Sequence, residues 1–159
     1  MKKALWILFG ILLVAFQSSL SAVIPMEFSK PDMGVPFLVF ATFFFSPIEG
    51  LLTAILFAFT QELFSNGPTG TMLFTKVAIF VACTFLKGRL YIDSRYTFSF
   101  VTTCMVLLEA AIFLALSLAA KGETRNIVNV LVYAVPNAII TGFIALFLFS
   151  LFERVKVRS

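Results

Sequence analysis

Between Met33 and Gln61 the chain carries a single charged residue, Glu49. Taken as one helix, the apolar run 33–64 would reach about 48 Å. The hydrocarbon core of a bilayer is only about 30 Å thick. The run therefore has to break, and Ser46-Pro47-Ile48-Glu49 shows where. A serine at the N-cap, proline at the first helical position and glutamate at the third form a helix-start signal. The pattern predicts a tight hairpin of two helices, 33–45 and 47–64. Each arm is short for a full crossing, so the pair would span a thinned bilayer or extend into its interface.

The rest of the chain supports a membrane reading. Of its 159 residues, 60% are hydrophobic and 13% charged. Soluble domains run near 45–50% and about 25% respectively. This composition excludes a soluble enzyme, a disordered tail and a disulfide scaffold. A first apolar run, 4–24, follows Lys2 and Lys3. It reads as a cleaved signal peptide or as a first membrane helix, and retention is the favoured expectation because more crossings follow. Ser65-Asn66-Gly67-Pro68-Thr69-Gly70 ends the third helix and opens the fourth, 70–87. A fifth is expected over 97–120. A sixth is expected over 127–152, kinked at Pro136. Six crossings take about 120 residues, which leaves no length for a folded domain outside the bilayer. The expected fold is thus all-α: one polytopic membrane domain over 1–159.

Charge sets the orientation. With a cytoplasmic N-terminus, the inside segments hold eight basic residues: Lys2, Lys3, Lys87, Arg89, Arg95, Arg154, Lys156 and Arg158. The outside loops hold three, Lys30, Lys121 and Arg125. Basic residues concentrate on the cytoplasmic side, so both termini are expected there. The net charge of +4 is accordingly a topology signal and not a sign of nucleic-acid binding.

Three ionisable residues fall inside expected helices: Glu62, Lys76 and Glu109. Such residues are costly in hydrocarbon and mark sites by default. Glu62 and Lys76 have matching depths near the outer side, so a buried Glu62–Lys76 pair is expected. Glu109, near the middle of the fifth helix, is expected to line a polar cavity or accept hydrogen bonds. Asp32 is expected to cap the second helix. Two small-residue stripes, Ala111, Ala115 and Ala119 on the fifth helix and Ala134, Ala138 and Gly142 on the sixth, favour close packing. Their expected use is packing within the bundle, with docking of a partner helix as the sharper reading. Phe37, Phe40 and Phe44 share one face of the second helix. Lipid exposure is the simplest expectation for them, and a partner-helix face the alternative.

Nothing in the sequence forms a nucleophile–base pair. There is no histidine, and Cys83 and Cys104 are isolated, so neither a metal nor another cofactor is expected. The SNGPTG turn lacks the lysine and the strand of a phosphate-binding loop.

The order of features resembles the MreD family of rod shape-determining membrane proteins. A first apolar helix leads to Pro31-Asp32, then to an apolar helix and the SPIEG turn. QELFSNGPTG follows, an acidic residue ahead of a Gly-Pro-x-Gly turn. The specific part covers about residues 30–90. The motif positions are Pro31, Asp32, Glu62, Gly67, Pro68 and Gly70, with Glu62 standing where the family usually has aspartate. The resemblance implies a non-enzymatic scaffold in the bacterial inner membrane, part of the machinery that elongates the wall and maintains cell shape. It implies the bitopic protein MreC as partner, with the filament protein MreB and a glycosyltransferase–transpeptidase pair nearby. It also implies a fold like the substrate-binding membrane subunits of ECF vitamin transporters. The alternative function is therefore capture of a small molecule from outside. Asp32, Glu62, Asn66, Lys76, Glu123, Arg125 and Asn126 are the candidate polar groups for that pocket.

Overall fold

A computed structural model describes residues 2–23, 32–64, 69–121 and 127–157. Among these it is all-helical, with six helices and no strand. They are α1 (Lys2–Val23), α2 (Gly34–Phe44), α3 (Pro47–Leu63), α4 (Thr71–Lys87), α5 (Arg95–Lys121) and α6 (Ile127–Val157). Two of them, over Arg95–Ala120 and Ile127–Arg154, are long and apolar enough to cross a membrane.

The break between α2 and α3 falls where the sequence places it. Ser46 Oγ accepts from the Glu49 N–H, and a Glu49 carboxylate oxygen accepts from the Ser46 N–H at 3.0 Å, with Pro47 opening the helix. The two reciprocal bonds satisfy N–H groups that the helix itself cannot. At the far end of α4, Lys87 Nζ donates to the carbonyls of Thr42 and Phe45. This cation satisfies the open C-terminal carbonyls of α2 and ties α4 to the α2–α3 corner.

The helices differ in length. α2 has 11 residues, and α3 and α4 have 17 each. At 1.5 Å per residue these are about 16 and 26 Å. α5 and α6, with 27 and 31 residues, reach about 40 and 46 Å. α5 and α6 lie together along most of their length, and the small residues of α6 make this possible. Gly142 sits against Thr103 and Ser99, with Ser99 Oγ donating to its carbonyl at 2.7 Å. Any side chain at position 142 would collide with Thr103. Ala134 and Ala138 are buried on the same stripe.

The core is aromatic, and it corrects one expectation. Phe37 is buried, and Phe40 and Phe44 are half-buried. Their rings meet α6. Phe37 lies 5.1 Å and Phe40 4.1 Å from the Phe152 ring, and Phe44 lies 6.4 Å from that of Phe149. Phe152 also meets Trp6 of α1 and Phe98 of α5. The Phe37–Phe40–Phe44 face is therefore neither a lipid surface nor open to a partner helix. The cause is that α6 lays Phe149 and Phe152 across α2.

Candidate functional site

Three helix starts and faces converge on Lys76. Along α4, Thr75, Lys76, Ile79, Phe80 and Cys83 are buried, a helical stripe that carries the ammonium inward. On α5 the stripe Phe98, Val101, Thr102, Met105 and Val106 is buried, and Glu109 continues it one turn on. Asp32 stands just before α2. Lys76 Nζ donates to Asp32 Oδ2 at 2.5 Å and to Glu109 Oε1 at 2.7 Å. The lysine side chain is 0% exposed, the carboxylates 15% and 16%. Glu109 lies about 21 Å along the axis from the start of α5 and about 18 Å from its end. The triad is therefore near the middle of α5, and α2 begins at that height.

Neutral groups complete the cluster. Asp32 Oδ1 accepts from the Gly34 N–H at 2.7 Å and from Gln61 Nε2 at 2.8 Å. Gln17 of α1 accepts from the Met33 N–H at 2.9 Å. Asp32 thus does cap α2, as its position before the helix suggests, and the same carboxylate also holds Lys76. Five helices meet at one polar point, and the ions carry one formal negative charge in excess.

The expected Glu62–Lys76 pair does not form. Glu62 accepts from the Gly70 N–H across the α3–α4 turn, where Gly70 has the left-handed φ of +90°. A residue with a Cβ is strained there. Gln61, not Glu62, reaches the cluster. The buried positions of α3 are Gly50, Thr53, Ala54, Phe57 and Ala58. Stepping on by four from Phe57 or three from Ala58 reaches Gln61, and by four from Ala58 reaches Glu62, so both border the inward stripe and both are half-buried. Gln17 likewise lies one turn beyond the buried Val14, and helical period places both amides near the inward face without singling them out.

Pro31, Gly67 and Pro68 of the family-like motif lie outside the described residues, as do Asn66, Glu123, Arg125 and Asn126. The α5 stripe is not used for packing inside the bundle: Ala111, Ala115 and Ala119 are exposed. On α6, Asn137 Oδ1 and Thr141 Oγ1 are buried one turn apart and lack a hydrogen-bond partner. Among the described residues no three potential metal ligands converge.

The arrangement can hold helices in register, and it presents an open small-residue face on α5. No protein-family model, curated protein or solved structure matches the chain.

Proposed function

We propose that this chain spans the bacterial inner membrane six times, with both ends in the cytoplasm. It acts as a non-enzymatic scaffold of the wall-elongation machinery, in the manner of the MreD proteins it resembles. The observation that carries the reading is the contrast between the two candidate docking faces. The α2 phenylalanines are consumed in the core, while Ala111, Ala115 and Ala119 on α5 stay exposed. Small residues at four-residue spacing let a second backbone approach closely. The single membrane helix of an MreC-type partner is the occupant this face suits.

Of the polar groups proposed for a small-molecule pocket, the three that lie among the described residues, Asp32, Glu62 and Lys76, all have partners within the chain. Asp32, Lys76 and Glu109 form the triad, and Glu62 closes a turn. This favours the scaffold over the vitamin-binding alternative.

The test is purification of the tagged protein from native membranes in mild detergent, read by mass spectrometry. A bitopic periplasmic coiled-coil protein and wall synthases are expected, and Ala115→Trp should remove them. Recovery of an ATPase pair with a coupling subunit would falsify the scaffold reading.

A further inference from the structure

One end of the bundle combines exposed arginines with exposed tyrosines. The connection between α4 and α5 is pinned by Ile92, which is buried, while its neighbour Tyr91 is 82% exposed. Leu90 and Tyr96 are also exposed. Arg89 and Arg95 are exposed, and neither forms an ion pair among the described residues. The Arg95 guanidinium lies 5.2 Å from the Tyr96 ring centre, which orders it. Contacts of Phe98 with Phe149 and Phe152 bring the end of α6 to the same level, with Arg154 exposed there. The acidic residues at this end are Glu49, held in its capping box, and exposed Asp93 and Glu153. Among the described side chains at this end, Lys87, Arg89, Arg95 and Arg154 stand against these three acidic residues.

We infer that this surface docks anionic phospholipid headgroups, with Arg89 and Arg95 taking the phosphates and Tyr91 and Tyr96 lying at headgroup depth. Three properties select a lipid surface over an acidic protein. Guanidinium forks match phosphate oxygens in pairs. Tyrosine places an apolar ring toward acyl chains and a hydroxyl toward water, and is enriched at that depth. The groups sit at helix ends, where juxtamembrane arginines feel the negative potential of the leaflet. The surface rests on the membrane-spanning part of the proposed function, and does not depend on the scaffold partner.

The experiment uses the full chain in mixed micelles of equal phosphatidylglycerol and phosphatidylcholine, with retained lipids counted by native mass spectrometry. The wild type should retain phosphatidylglycerol in preference. The variant Arg89→Gln/Arg95→Gln should lose about fivefold of that preference per arginine, with an unchanged melting temperature because both side chains are exposed. Arg89→Lys/Arg95→Lys should keep part of it. Equal retention of the two lipids by the wild type overturns the proposal. So does an unchanged preference in the glutamine variant, whether or not an acidic protein is then lost from native-membrane preparations. Resistance of the wild type to alkaline extraction from membranes reports on the membrane reading alone, so the two failures are distinguishable.

Discussion

The α2–α4 segment and the α5–α6 hairpin use opposite means to stay packed. The first has short helices, a capping box, a lysine bridge and the buried ions. The second has two long helices held mainly by the fit of Gly142 against Ser99 and Thr103. Among the described residues, only Glu109 reaches from the hairpin into the ion cluster. In lipid the hydrophobic effect does not favour one apolar neighbour over another, so helices associate through close packing and polar bonds. A helix of about 16 Å has too little surface for packing alone, and α2 is held at both ends by polar bonds. The long pair has surface to spare and leaves part of it open.

The widest gap between the two regions should appear on removing Lys76. Lys76→Met leaves Asp32 and Glu109 as neighbouring carboxylates with no cation. The expected loss is about 3–5 kcal/mol, seen as a large drop in melting temperature in detergent. The triple variant Asp32→Asn/Lys76→Met/Glu109→Gln should recover most of it. If the triple variant melts as low as the single one, charge balance is not what the triad supplies.

A smaller effect tests where the two regions meet. Phe152→Ala removes the ring that touches α1, α2 and α5 and should cost about 3 kcal/mol. Phe147→Ala, on the same helix but 73% exposed, should be close to neutral by the same melting assay. Equal losses would mean that α6 is not seated on α2 as described. The smallest effect is expected on the open face. Ala115→Leu should change the stability of the isolated protein by less than about 0.5 kcal/mol. A larger loss would show that α5 packs there within its own bundle.

Much of the helical layout was legible. The Ser46–Glu49 signal places the α2–α3 break within a residue, because capping is local chemistry. The SNGPTG sequence likewise lies between the end of α3 and the start of α4. The partners of the ions were less legible. Glu62 and Lys76 match in depth along their helices, but Gln61 and Glu62 both border the inward stripe of α3 and helical period does not choose between them. In the structure Gln61 donates to Asp32 while Glu62 accepts from the Gly70 N–H. Asp32 was read as a local cap, since its distant partner depends on how α4 and α5 pack. The phenylalanine face was misjudged for a related reason. An apolar side chain suits lipid and core equally, and the packing of Phe149 and Phe152 of α6 against α2 decides between them. Six crossings and their orientation rest on charge distribution and lengths, and remain part of the proposed function.

The spacing of the triad has a consequence for how the chain is made. Asp32 precedes Lys76 by 44 residues, and Glu109 follows Lys76 by 33. In the proposed six-span topology, a ribosome delivers these three groups to the translocon at different times. Until the next one arrives, each charge stranded in lipid costs about 2.5–3.5 kcal/mol. The early segments therefore have reason to linger beside the insertion machinery, and release into the bilayer is favoured once α5 supplies Glu109.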